Sequence, residues 1–362
     1  MSSELYYADY LQLGRLLGAQ RPESRRLGHE AHDEMLFIVV HQAYELWFRQ
    51  ILHELDAVLA DFASERLDER SLAAICAKLE RITRIQHLLV EQIGVLETMA
   101  PQDFLEFRDL LVPASGFQSV QFRVIETKLG LRVRDRPGGG TYVRRFSPGD
   151  RRLLEQLDHE PSLFDRVDAW LARMPFLQDD HYDFWSSYRD TLVQMFEADR
   201  AVLEQHSQLS DEERAQQLEQ LQQSQQQFDC LFDATAYEKA RTAGHVRLSR
   251  QAFQAALFIH LYRDEPLLQQ PFRLLELLVE IDEQLTAWRY RHALMVQRMI
   301  GSRIGTGGSS GHQYLRQSAA RTQIFGDLFN LASYLVPRSR LAPLPVGLSR
   351  KLDFHFSTLG NG

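Results

Sequence analysis

His41 lies inside "FIVVHQAYELWF", a stretch that is otherwise almost entirely apolar. His292 lies inside "LTAWRYRHALMVQRMI", where Leu285, Trp288, His292, Met295, Val296 and Met299 fall on one helical stripe. Burying an imidazole is costly unless its nitrogens find partners, so both positions invite a chemical reading. Taken singly, each reads as a neutral core histidine with its hydrogen bonds met. Taken together, on two helices, they also suit a haem held between one axial and one distal histidine. Spacing along the chain leaves both readings open.

Two further features bear on ligand binding. Arg108, in "DFLEFRDLL", carries a planar fork suited to a carboxylate; on a surface it would instead pair with Glu106 or Asp109. "GTGGSSG", which contains Thr306, looks like a phosphate loop. It lacks the Gly-Lys-Ser/Thr ending and has no strand before it. It reads either as a flexible linker or as a mobile loop whose backbone N–H groups close on an anion. Metal clusters fare worse. "GHEAHDE" is one residue short of HExxH, and its Asp33 and Glu34 suit the first turn of a helix, capped and solvated. No histidine has a glutamate three residues before it, which counts against a di-iron bundle.

The elements that must position these residues are helices. Apolar residues recur at threes and fours over about 32–63, 70–99, 101–111, 117–130, 250–263 and 271–300, the mark of amphipathic helices. A last helix is expected over about 316–336. Pro101 suits a first turn, and Gly130 suits a C-terminal cap. Residues from about 200 to 235, with "EERAQQLEQLQQSQQQ", read as an exposed helical arm outside the core. Strand signals are scarce. The expected architecture is all-α, one domain over 1–362 with that arm inserted.

Composition narrows the function classes. The chain has 362 residues, 44% hydrophobic and 25% charged, with a formal charge of −8. An acidic balance argues against nucleic-acid binding. No apolar run approaches a membrane span, and "MSSELYYADY" does not resemble a signal peptide. With only Cys76 and Cys230, a disulfide framework is not expected. A cytoplasmic setting follows as the expectation.

Three long blocks carry a family resemblance: "HDEMLFIVVHQAYELWFRQILHELD", "FRDLLVPASGFQSVQFRVIETKLG" and "WRYRHALMVQRMIGSRIGTGGSSGHQYLR". In that order, with "YYADYLQL" before them and "DLFNLASYLVPR" after, they resemble the tryptophan 2,3-dioxygenase family. The resemblance implies a helical bundle enclosing haem b, usually a homotetramer. It implies insertion of both atoms of O2 across the indole C2–C3 bond of L-tryptophan, giving N-formylkynurenine, the first step of tryptophan catabolism by the kynurenine route. By position, His292 matches the axial ligand of the haem iron, fourteen residues before Thr306 as in the family. Trp288 and Ser115 fall with the cofactor-binding residues. His41 matches the distal histidine that bonds the indole N–H, and Phe37 the aromatic wall of the pocket. Arg108 matches the arginine that pairs with the substrate carboxylate, and Thr306 the contact to the amino-acid head group. Tyr7 and Tyr10 match tyrosines that a neighbouring subunit lends to the pocket.

Two positions depart from some members. Phe104 stands where a tyrosine hydroxyl also touches the carboxylate, and Gln297 where another histidine occurs. Three alternatives accompany the resemblance. A related scaffold could hydroxylate another indole, a haem-binding sensor could lack turnover, and a helical scaffold could hold two satisfied core histidines.

Overall fold

Apolar residues spaced at threes and fours give a helix one face to bury, and the computed structural model realises that pattern along most of the chain. It describes residues 4–64, 67–136, 144, 146–179, 182–206, 208–301, 303 and 322–353. Three short helices open it: α1 (Tyr7–Tyr10), α2 (Leu13–Leu16) and α3 (Glu23–Arg26). Then come α4 (Asp33–Phe62), α5 (Glu69–Leu96), α6 (Pro101–Arg108), α7 (Val120–Leu129), α8 (Pro148–His159) and α9 (Leu163–Leu171). Next are α10 (Phe184–Gln205), α11 (Asp211–Phe232), α12 (Ala234–Thr242), α13 (Arg250–Leu261) and α14 (Gln269–Ile300). Among the described residues the β structure is one antiparallel ladder, with Gln178 opposite Asp183 and Asp179 opposite Tyr182. The fold is all-α. No helix among the described residues is long and apolar enough to cross a membrane.

The chain divides into two compact units. The first comprises Met1–Ala57, Glu80–Glu160 and Ile281–Ile324. Its core includes Leu55, Ile82, Ile93, Phe107, Ile125 and Leu129, each at most 2% exposed. Full burial of such a side chain is worth about 1.5–3 kcal/mol. Side chains that reach helix carbonyls cross-link its helices. The Tyr44 hydroxyl donates to Leu89 O (2.7 Å) and Gln92 Nε2 to Val40 O (3.2 Å), joining α4 and α5. Gln86 Nε2 donates to Ile281 O (3.3 Å), joining α5 and α14. Gly130 ends α7 at φ 129°, a conformation that glycine tolerates best.

The second unit comprises Val58–Leu79, Pro161–Glu280 and Phe325–Gly362. Its core includes Ile75, Leu79, Phe184, Phe258, Leu274 and Leu278. Ser162 and Ser210 start α9 and α11 with capping boxes, which satisfy otherwise orphaned N–H groups. α10 and α11 pack against each other. Residues 211–226 are mostly exposed, whereas Phe228 and Leu231 are buried, with Phe228 packed edge-on against Phe196.

The last helix expected over 316–336 is not found as one element among the described residues, and a further helix, Val346–Leu352, follows it. Residues 316–321 lie outside the described residues, and the remainder is a short helix, Gly326–Asn330, followed by a 3-10 turn, Leu331–Tyr334. The Ile324 N–H donates to both oxygens of the Asp282 carboxylate (3.0 and 2.7 Å). That bond takes the Ile324 N–H out of any helical ladder at residues 322–325.

Candidate active site

Within the first unit, α4, α6, α7 and the C-terminal half of α14 line a cavity of about 650 Å³. Sites for cofactors and small molecules span about 300–1,000 Å³. Phe37, His41, Arg108, Ser115, Trp288 and His292 all line it, although they come from three distant stretches of chain. Thr306 lies outside the described residues. Tyr7 and Tyr10 are exposed, at 74% and 69%, and do not line the cavity of their own chain.

The α4 wall is built by helical spacing. Phe37 and His41 are one turn apart, their ring centroids 4.0 Å apart. His41 Nδ1 lies 2.7 Å from Phe37 O. A carbonyl only accepts, so Nδ1 carries the hydrogen and the neutral ring keeps Nε2 as its acceptor. Burial lowers the His41 pKa, against smaller upward pulls from the Phe37 carbonyl and from Glu45. The same helix explains two polar residues that spacing alone does not. Gln42 Oε1 accepts from Gln20 Nε2 (2.6 Å), and Glu45 Oε2 accepts from Gln121 Nε2 (2.8 Å).

The α14 wall carries Trp288 and His292, again one turn apart. Their rings stack nearly parallel, 3° between planes and 5.1 Å between centroids. Burial, with a smaller contribution from His41, holds His292 down to about 4, so its imidazole is neutral at pH 7. His292 Nδ1 is buried without a hydrogen-bond partner among the described residues. By area the residue is only half-buried. Both observations agree if its accessible surface belongs to the cavity that it lines.

Between these walls the lining is apolar and aromatic. Phe104 packs with Phe37 (5.8 Å between centroids) and edge-on with Phe107 (5.4 Å). Arg108, at the end of α6, is 15% exposed at its side chain and lies 3.3 Å from the carboxylate of Asp109, which is 85% exposed. It is therefore a cavity residue with an outward-facing partner, not a surface arginine. The Ser115 N–H donates to Gln118 Oε1 (3.1 Å), and its hydroxyl accepts from the Phe117 N–H (3.4 Å), fixing the turn into α7.

Two neutral imidazoles on different helices facing one such cavity form a donor set that fits a haem. Among the described residues, no group of three or more histidines, cysteines or acidic residues could hold a bare metal ion. Residues 1–335 match the family described as tryptophan 2,3-dioxygenase. The chain belongs to that family. Proteins named tryptophan 2,3-dioxygenase are similar along nearly its whole length. That of Bdellovibrio bacteriovorus is 49% identical over 97% of this chain and 99% of its own. That of Dictyostelium discoideum is 48% identical over 98% and 90% respectively. That of Xenopus laevis is 46% identical over 92% and 83%.

Within this family member, the structure adds residues that spacing did not single out. Glu126 on α7 is 1% exposed and joined by three guanidiniums. Arg123 Nη1 donates to Oε2 (2.8 Å), Arg289 Nη2 to Oε1 (2.8 Å), and Arg136 Nε lies 3.7 Å away. Burial would raise the Glu126 pKa, but Arg123, Arg136 and Arg289 together pull it down to about 2. Arg123, Glu126 and Arg289 line the cavity. Glu34 corrects another reading. It is not a solvated first-turn acid but is 1% exposed, accepting from the N–H groups of Glu23 (2.8 Å) and Ser24 (2.9 Å) and from the Ser24 hydroxyl. Those bonds tie α3 to the start of α4, where Glu23 and Glu34 line the cavity.

Proposed function

We propose that the chain is a haem-dependent dioxygenase that cleaves the indole C2–C3 bond of L-tryptophan with O2, giving N-formylkynurenine for the kynurenine route. Family membership supports the reaction, and one observation supports the site: His41 and His292, both neutral, line one cavity together with Arg108.

His292 would ligate the iron of haem b, with Trp288 stacked against its imidazole, and Ser115 would contribute to holding the cofactor. When bound, haem supplies the redox-active iron at which O2 reacts. The chain does the positioning. His41 Nε2, the free acceptor, receives the indole N–H and orients the ring. A site built around that N–H disfavours analogues lacking it, because the acceptor would be left unpaired. Phe37 and Phe104 would flank the indole and keep water out, with Phe107 packed behind them. Arg108 holds the carboxylate through charge-assisted bonds, and Thr306 contacts the amino-acid head group. With Phe104 in place of a hydroxyl-bearing ring, the carboxylate rests more heavily on Arg108. A carboxylate grip favours an amino acid over a bare alkylindole, which separates this reading from hydroxylation of another indole.

The assembly belongs to the same reading. Tyr7 and Tyr10 sit on a short helix without a buried residue, as suits side chains completed by a partner subunit in a homotetramer. The segments of the two units interleave along the chain. Neither could be excised whole, and 1–362 is read as one functional domain. A buried cysteine outside any disulfide, Cys76, suits a reducing, cytoplasmic setting.

The test is direct. Haem-loaded protein is reduced anaerobically and mixed with L-tryptophan and O2. Growth of N-formylkynurenine absorbance is expected. A Soret band without product would leave a haem-binding sensor, and no Soret band after haem addition would overturn the haem reading altogether.

A further inference from the structure

Two polar residues of α4, Glu34 and Gln42, are tied to the same short stretch of chain. A buried carboxylate is strongly unfavourable unless it is hydrogen-bonded, and Glu34 is 1% exposed. It accepts from the Glu23 N–H (2.8 Å), the Ser24 N–H (2.9 Å) and the Ser24 hydroxyl. Ser24 Oγ in turn accepts from the Ala31 N–H (3.0 Å). The second tie is between neutral groups. Gln20 Nε2 donates to Gln42 Oε1 (2.6 Å) and to Leu16 O (3.1 Å), and Gln42 Nε2 lies 3.5 Å from Ala19 O.

The two ties leave the backbone between them little slack. From Gln20 to Ser24 the chain can span at most roughly 14 Å. Their anchors on α4, Gln42 and Glu34, are two turns apart, roughly 12 Å along the helix axis. Pro22, between the ties, is buried and extended, with φ −61° and ψ 127°. The segment therefore runs opposite in direction to α4, alongside the two turns that carry Phe37 and His41. Arg21 and Glu23 on the segment line the cavity, as do Glu34 and Gln42 on the helix. Its far end, α3, packs against the 3-10 turn Asp109–Leu111 that follows Arg108. One short segment thus reaches from the wall that carries His41 to the end of the helix that carries Arg108.

We propose that residues 19–24 are a strap closing the substrate end of the cavity, and that Gln20, Gln42, Ser24 and Glu34 are positioning residues that hold it shut over bound tryptophan. This rests on the tryptophan reading above. The four act through the strap and touch no reacting atom. Their bonds set how readily the strap lifts, and so how fast substrate escapes and water enters.

Gln20 is the sharpest probe, because it does not line the cavity and reaches the substrate only through its tie. L-Tryptophan is titrated into reduced holoenzyme without O2, and amide hydrogen exchange of residues 19–24 is followed with and without it. In the wild type, tryptophan should slow exchange in the strap. Gln20→Met should speed that exchange and raise the tryptophan Kd roughly 2- to 10-fold, the worth of a neutral hydrogen bond, with the Soret band unchanged. Gln20→Met with Gln42→Met should do no more than the worse single variant, since both remove one bond. Ser24→Ala, which keeps both N–H donors to Glu34 but loses the hydroxyl, should move exchange and Kd in the same direction. Faster strap exchange with an unchanged Kd overturns the inference, and so does unchanged exchange. Additive losses in the double variant would place Gln42 on the substrate itself and overturn it as well. Equal loss of haem and tryptophan would mark a fold defect and count against it too. No tryptophan binding by the wild type would sink the functional reading and the strap's role with it, whereas binding that the variants leave unmoved sinks the strap alone.

Discussion

His41 on α4 and His260 on α13 begin from the same local chemistry. Each is a helical histidine whose Nδ1 bonds the carbonyl four residues earlier, Phe37 O at 2.7 Å and Ala256 O at 2.8 Å. Burial lowers the pKa of both. They differ in what stands opposite. His260 sets its edge against Phe272 (5.2 Å between centroids) and turns Nε2 toward Glu276 (3.8 Å), so its surroundings are made of packing and a carboxylate. His41 lies against Phe37, the rings tilted by 35°, and lines a cavity shared with His292, Arg108 and Glu126. The i−4 bond is ordinary helical thrift for a buried imidazole. Function enters with the empty side of the ring.

If the comparison is right, substitutions should separate by region. His292→Ala removes the one proposed axial ligand and has the largest effect. Haem affinity should fall more than about 100-fold, beyond the roughly 10- to 100-fold cost of losing an outer-shell partner, read by Soret titration. The same side chain predicts an acid limb of stability in the apoprotein. Its folded pKa is about 4 against an ordinary histidine value of roughly 6.5. The unfolded chain therefore takes the proton first as pH falls through that window. Stability is full above about 6.5 and is lost progressively down to about 4, by on the order of 3 kcal/mol at most. Denaturant melts of His292→Ala should show a shallower limb over that range.

Next in size, Arg108→Leu should raise the KM for tryptophan roughly 10- to 100-fold through loss of a charged hydrogen bond, leaving the haem spectrum unchanged. Equal damage to haem content and KM would mark a structural arginine. His41→Ala should keep haem and lower turnover at low tryptophan by roughly 5- to 10-fold, the worth of a neutral hydrogen bond. Undiminished turnover would place His41 with His260, as packing. His260→Gln should do least, shifting unfolding free energy by no more than about 1 kcal/mol, with haem binding and KM unmoved. A change in either ligand property would break the comparison from the other side.

Much of this is legible in the sequence, for physical reasons that differ by residue. The long helices were legible because α4, α5 and α14 bury one face and their apolar spacing says so. His41 and His292 were legible because imidazoles are conspicuous among apolar neighbours, and the family resemblance assigned them roles. The Glu126 cluster was not. Arg123 and Glu126 are three apart on α7, the spacing of any solvated helical ion pair. Nothing in the sequence says that Arg289, 163 residues away, turns toward them. Glu34 was misread for a related reason: an acid in a first turn suits the helix dipole whether or not another segment folds over it. The expected helix over 316–336 failed where Asp282, far off in sequence, captures the Ile324 N–H. Long-range polar pairing, more than apolar patterning, is where reading along the chain runs short.

On the proposed function, His292 would ligate a haem in the cavity that His41 lines from α4 without ligating it. Soret titrations of wild type, His292→Ala and His41→Ala with haemin test it most directly. The expected result is a stable haem band in the wild type and in His41→Ala, and its loss in His292→Ala. A normal band in His292→Ala, or loss of haem in His41→Ala, would contradict it.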